Sequence, residues 1–482
     1  MTELYELSAL EQAAAIRAGD LSPVEVVEHH LERAERLGPG VGAFITLTRE
    51  RAMAQARAHE QAVWTATRNG SVEELPPLLG VPVPVKDLNN VAGVRTTFGS
   101  VVYADFVPAV DDHVVTKLRA AGTVMIGKTN TPEFGSPCYT ENALAPPART
   151  PWDLGRSAGG SSGGAAAAVA AGLAPVAHAS DGGGSIRIPA SVCGLVGLKP
   201  SRGRISGGPL KGDVSGLGTD GPIGRTVRDV AALLDAMSGP MPGDPHWAPP
   251  LPAGQTFLAA ADREPGRLRV GRFARPVIAE TTVDAQCLVG YEQVSTLLVE
   301  LGHDVENVEP PFGLDVVPTF ESVWCVLSTL TPVPPPMEGL LAPLTRHLRA
   351  RGREVSGTAY ALALAGMQAA TRAAMTRLAA YDALLSPTLA HLPAGVGALR
   401  DDDDPAADFQ AQKRYTPFTA IYNVTGQPAV SLPLHWAPRP GGGVLPVGVM
   451  LAGRPAGEAQ LLSLAAQLEQ ARPWAARRSP GR

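Results

Sequence analysis

The sequence predicts an α/β protein, and three observations carry that reading. From Leu79 to Met237, short Val-rich segments alternate with glycine clusters and one Ala-rich helical run. Strand and helix alternate again from Arg267: LRVGRF, a helical stretch from Asp284 to Leu301, then HDVENVE, which reads as a βαβ unit on the same sheet. Near the end, VGVMLAG reads as a strand and Glu458 to Gln470 as an amphipathic helix.

The remaining elements follow in order, within one domain spanning 1–482. Residues 1–78 form an N-terminal section whose positions 2 to 66 read as helices. Leu7, Leu10, Ala14 and Ile16 make one apolar stripe, and Ser22-Pro23 supplies an N-cap and first-turn proline for a helix through Leu37. A polar link, Arg68 to Pro77, leads into a core section, 79–237. Within a variable section, 238–412, TPVPPPMEGLLAP at 331–343 reads as a loop and a candidate lid, because proline removes donors and fixes φ. A helical stretch from Ala359 to Ala380 and a strand from Ala383 to Leu385 precede DDDDPAAD at 401–408, read as a solvated loop. A strand and helix return over 413–482 closes the chain, and no internal repeat is visible.

Composition narrows the function. The 482 residues are 45% hydrophobic and 18% charged with a formal net charge of -5, the profile of a large globular protein. Lys and Arg are scattered, so there is no footprint for nucleic acid or an anionic membrane, and the expected partner is a small molecule. Cys138, Cys193, Cys287 and Cys325 lack CxxC spacing, and no His, Cys or carboxylate cluster has metal-ligand spacing; neither a metal nor another cofactor is expected. The N-terminus lacks a basic region followed by an apolar one, and the longest apolar run, Ala165 to Ala177, is too short to span ~30 Å of hydrocarbon. These features point to a cytoplasmic protein, a monomer or homodimer.

Three segments carry chemistry. Gly159-Gly160-Ser161-Ser162-Gly163-Gly164 opens the Ala-rich helix, and its glycines allow close approach of bare N–H groups to a ligand. It lacks the GK[ST] ending of a P-loop, and no GxGxxG with a following acidic residue is present. Asp181-Gly182-Gly183-Gly184-Ser185-Ile186-Arg187 places three unobstructed amides before a serine, a nest for an oxyanion beside its hydroxyl. Gly80 to Asp87, GVPVPVKD, is a strand ending in Lys86, where burial can depress an amine's pKa enough for it to act as a base. His178, Asp181 and Ser185 invite a Ser-His-Asp reading, but they share one short segment and triads are recognised by geometry. His178 is therefore read as incidental.

Lys86, GGSSGG and GGGS, in this order and with this separation of the serines, resemble the amidase signature family. GKTNTPEFG (127–135), PWDLGRSAGG (151–160), IRIPASVCGLVGLKPSRGRIS (186–206), GPIGRTVRDVAALLD (221–235), YNVTGQPAVSLP (422–433) and PVGVMLAGRP (446–455) extend the resemblance over nearly the whole chain. It implies the amidase signature fold, a mixed central sheet covered on both faces by helices. It also implies a Ser-cisSer-Lys triad with Ser185 as nucleophile, Ser161 (after a cis peptide) as proton relay and Lys86 as base. The amides of Gly182, Gly183, Gly184 and Ser185 become the oxyanion hole. Ser162 takes a supporting role within its loop, and Asp181 and Arg187 a bracing one. His178 and Pro84 depart from the family, which has small residues there.

Residues 176–210 and WDLGRS are most similar to members that open cyclic oligoamides of the nylon type, among which Cys325, after Trp324, falls near a substrate-contacting cysteine. The expected substrate is a largely apolar amide, with carbamates (urethanes) open as a second class. The expected pocket draws on 133–139, including Cys138 and Tyr139, on Trp324 and Cys325, and on 331–343. The alternative is the glutaminase A subunit of a tRNA amidotransferase; residues 340–380 lack the Tyr-rich, Arg-anchored pattern expected of its glutamine site. An inactive binding protein is disfavoured by the intact triad residues.

Overall fold

Two sheets meet where the chemistry-bearing segments lie. The computed structural model describes residues 3–211, 213–439 and 441–480. A three-stranded sheet is formed by β1 (Phe44–Leu47), β2 (Val85–Lys86) and β3 (Gly127–Thr129) in the order β1-β3-β2. An eight-stranded mixed sheet comprises β4 (Val176–Asp181), β5 (Val196–Lys199), β6 (Thr219–Gly224), β7 (Arg269–Arg272), β8 (Asp304–Asn307), β9 (Ala383–Pro387), β10 (Ala429–Pro438) and β11 (Val444–Gly453). Its order is β4-β6-β5-β10-β11-β9-β7-β8. The expected βαβ unit is present: β7 and β8 pair in parallel across the Ala285–Glu300 helix, which Asp284 caps.

The period-two alternation of side chains explains why helices cover both faces of the large sheet. Val430, Leu432, Leu451 and Leu385 point to one face, packed with the Val227–Met237, Ala285–Glu300 and Glu458–Ala471 helices. Their neighbours Ala429, Met450 and Leu384 point to the other, against the Gly357–Arg377 and Ile421–Thr425 helices. Further along that second face, Ala177 and Ile223 pack on the Gly163–Ala170 and Arg187–Cys193 helices.

The edge strand β4 joins the two sheets. The His178 N–H donates to the Pro84 carbonyl at 3.1 Å, while the Val83 N–H donates away from β4 to Val124. The donor that Pro84 lacks therefore falls on the β4 side, where only its carbonyl is used.

Three expectations are corrected. The N-terminal section is not all helical: between the Pro23–Val41 and Arg49–Asn69 helices the chain forms β1, whose Phe-Ile-Thr-Leu is a short β-favouring run. Residues 331–343 are not a free loop. Pro335–Leu340 is a 3₁₀ helix, Pro343 starts the next helix, and the Ala342 N–H donates to Glu133 at 2.8 Å. Nor is 401–408 a solvated loop throughout. Asp404 caps the Pro405–Tyr415 helix through the Ala406 and Ala407 amides, and Asp408 is buried. No helix among the described residues is long and apolar enough to cross a membrane.

Candidate active site

Lys86 ends β2 with its side chain wholly buried. Its Nζ stands 2.8 Å from Ser161 Oγ and donates to the Ser180 carbonyl at 3.2 Å. Burial drives its pKa down to about 7, against the pull of the Asp181 and Asp220 carboxylates and with help from the Lys211 cation. A neutral amine at this position can accept the Ser161 proton.

Ser161 follows a cis peptide from Gly160. A Cβ on Gly160 would stand 2.7 Å from the Tyr139 backbone, so only glycine permits this approach. Ser162 does not act within its own loop. Its Oγ donates to the Ser180 carbonyl at 3.1 Å, and its N–H donates to the Ser185 carbonyl at 3.3 Å, tying the two serine segments together. Among the described residues, the Ser161 and Ser185 hydroxyls are not hydrogen-bonded to each other, a contact that often tightens only with substrate bound.

The turn holding Ser185 is built around one carboxylate. Asp181 accepts from Arg187 Nε and Nη2, both at 3.0 Å, from the Gly184 N–H at 2.7 Å, the Ile186 N–H at 3.1 Å and Asn423 Nδ2 at 2.9 Å. Burial opposes its ionisation, yet the Arg187 guanidinium holds it well below the usual carboxylate range. Arg187 also donates to the Thr419 carbonyl at 2.7 Å and to Asn423 Oδ1 at 2.8 Å. Asp181 and Arg187, expected to brace the turn, are joined by these contacts. Replacing Arg187 by Met leaves a buried carboxylate unpaired, with an expected loss of about 3–5 kcal/mol of folding stability, measured by urea unfolding.

This clamp removes one amide from the expected oxyanion hole. The Gly184 N–H is committed to Asp181, whereas those of Gly182, Gly183 and Ser185 have no acceptor among the described residues. Gly184 has φ +132°, and a Cβ there would lie 2.4 Å from Thr419 Oγ1. Its role is to let the turn close, not to donate.

Ser185 faces an apolar cavity of about 70 Å³ lined by Cys138, Ile188, Ile278, Phe320, Trp324 and Phe409, among others. Cys138 and Trp324 thus stand where the sequence reading put them. Tyr139 and Cys325 do not line it. The Tyr139 hydroxyl donates to buried Asp408 at 2.6 Å, and Cys325 packs behind the wall with Leu344, Leu348 and Phe409. Phe320 and Trp324 stack with centroids 5.5 Å apart on one face of the Val317–Thr329 helix, and Cys325, one residue on, points elsewhere. That spacing could have identified Phe320. The 331–343 segment is also absent from the wall; Tyr103 binds the Pro332 carbonyl through its hydroxyl. Gln412 was missed as well, and it seats this wall by accepting from the Cys138 N–H at 2.9 Å.

His178 is not part of a Ser-His-Asp unit. Its Nδ1 accepts from the Lys86 N–H at 3.2 Å, while Asp181 is engaged by Arg187. Asp181 and Gly182 also line a larger cavity of about 460 Å³, together with Arg202, Lys211 and Asp220 among others.

Residues 25–462 match the family described as Amidase. The chain belongs to the amidase family. It is therefore a hydrolase acting on carbon–nitrogen bonds, with the fold that the sequence motifs imply. This amidase is 37% identical to a putative amidase of Synechocystis sp., over 98% of this chain and 89% of that one. It is 35% identical to the 6-aminohexanoate-cyclic-dimer hydrolase of Paenarthrobacter ureafaciens, over 98% and 96%. A solved structure of 6-aminohexanoate cyclic dimer hydrolase with substrate superposes with a TM-score of 0.88 at 33% identity, covering 99% of each chain.

Proposed function

We propose that this amidase cleaves largely apolar amides through an acyl-enzyme, with Ser185 as nucleophile, Ser161 as relay and Lys86 as base. The observation that carries the reading is the buried Lys86 amine 2.8 Å from Ser161, behind a serine that faces an apolar cavity. The Ser185 oxygen bonds to the acyl carbon while its proton passes to Ser161 and that of Ser161 to Lys86. The Gly182, Gly183 and Ser185 amides hold the oxyanion as the carbonyl π bond opens. Collapse breaks the carbon–nitrogen bond, and the relay runs backward to protonate the leaving amine. Water, deprotonated by the same path, then releases the acid and restores the Ser185 hydroxyl.

Apolar selectivity follows from the wall. Each methylene moved from water into it contributes about 0.8 kcal/mol, roughly fourfold in kcat/KM. The cavity is smaller than the ~300–1000 Å³ of typical ligand sites, so larger acyl groups displace the Phe320 and Trp324 side chains. The relationship to an enzyme named for a cyclic aliphatic diamide makes such amides the first candidates, and carbamates present the same planar acyl–nitrogen group. The test is a panel of acetyl, butyryl and hexanoyl anilides, 6-aminohexanoate cyclic dimer, an aryl carbamate and glutamine. kcat/KM is expected to rise with acyl length and to be lowest for glutamine; a preference for glutamine would overturn the reading. Trp324→Ala is expected to flatten the dependence on chain length, reducing hexanoyl over acetyl selectivity by about tenfold.

A further inference from the structure

We propose that Lys211 and Asp220 are positioning residues for the base: Lys211 holds the Asp220 carboxylate against His178, whose ring anchors the backbone of Lys86. The inference rests on Lys86 being the base, and it concerns residues outside the triad and clamp.

The contacts form a line from solvent to the backbone of Lys86. Lys211, partly exposed in the wall of the 460 Å³ cavity, places Nζ 3.6 Å from Asp220 Oδ2 and 3.7 Å from Asp112 Oδ2. Asp220 Oδ1 lies 3.3 Å from His178 Nε2, and Asn89 Nδ2 donates to Asp220 Oδ2 at 3.3 Å. His178 accepts the Lys86 N–H through Nδ1, so its single proton sits on Nε2 and faces Asp220. Burial keeps the ring neutral by lowering its pKa, against the pull of Asp220. Asp220 is itself buried, yet Lys211 and His178 hold it ionised.

Every charged group facing Lys86 can be named. Asp181, on β4, is paired with Arg187. Asp87, the next residue, is closed in a buried pair with Lys128 at 2.9 Å. Asp112 is held by the Asn90 side chain and backbone and shares Lys211. Asp181, although paired with Arg187, and Asp220 favour the protonated amine, and Lys211 opposes it. Lys211 is the most exposed of these groups and lines the 460 Å³ cavity, so the balance is set from that cavity and not from the one Ser185 faces.

The test is the pH dependence of kcat/KM on an anilide for Lys211→Met, Lys211→Arg and Asp220→Asn. Loss of the Lys211 cation lets Lys86 keep its proton to higher pH. The acid limb is expected to move up by about half a unit, roughly threefold lower rate on its acid side. Lys211→Arg, which keeps the charge, is expected to restore the limb. Asp220→Asn removes an anion, and its limb is expected to move down. Shifts of the same sign, or rates that fall with an unmoved limb in variants with wild-type circular dichroism, would overturn the proposal. Lys211 is partly exposed, so its variants carry the test even where Asp220→Asn folds poorly. A Lys86→Met enzyme that kept its activity would instead show that the base assignment had failed.

Discussion

Ser185→Ala is expected to lower kcat/KM by a factor on the order of 10⁴–10⁶ while leaving the urea midpoint within error of wild type. The two halves of this expectation have separate grounds. The loss is large because relay and base then have nothing to activate, and the Cys138 thiol, also at the cavity, is kept protonated by burial. Stability is untouched because the Ser185 side chain makes no hydrogen bond among the described residues. The contacts that hold its turn belong to its backbone and to Asp181. A fluorophosphonate probe should label wild type at Ser185 and leave the variant unlabelled; substantial turnover by a folded variant would move the nucleophile elsewhere.

Lys86→Met is expected to cost about 10²–10⁴ in kcat/KM at pH 7, the range of a lost general base. In the wild type the rate is expected to rise with pH through about 7, because only the neutral amine accepts a proton. The same displacement has a consequence for stability. Between about 7 and the unfolded value of about 10.4, the unfolded chain holds a proton that the folded chain lacks. Folding stability therefore gains with rising pH across this window, and below it the full penalty of burying the amine applies. Lys86→Met removes its share of that dependence, leaving the share of Lys199, whose buried amine is also driven down to about 7, and is expected to melt above wild type at neutral pH. A variant whose stability climbed as steeply as that of wild type between pH 7 and 10 would place the titrating group elsewhere.

The catalytic segments were legible because their chemistry is local. Glycines that admit a Tyr139 backbone or a Thr419 hydroxyl, a serine after them and a lysine at a strand end are each dictated within a few residues. The rest of the wall was not, because Ile278, Phe320 and the Phe409–Gln412 pair come from three separate stretches of chain that only the fold gathers. Cys325 was expected in the cavity from the resemblance to members with a substrate-contacting cysteine, and Tyr139 as part of 133–139, but chain neighbours need not share a face. Asp408 was hidden by its acidic surroundings, which describe Asp401 to Asp404 well and the next helical turn badly. His178 gave no local signal, since its partners lie on β2 and β6.

The clamp at Asp181 has a consequence for how this enzyme can diversify. Lys86, Ser161 and Ser185 lie in the first half of the chain, whereas Phe320, Trp324 and Gln412 come from the second. The halves are riveted at Arg187, Thr419 and Asn423. Those rivets tie the second half to the nucleophile turn. A lineage that keeps them is free to rewrite the Val317–Thr329 and Pro405–Tyr415 helices, so the diet of the enzyme can drift while its bond-breaking apparatus stands still.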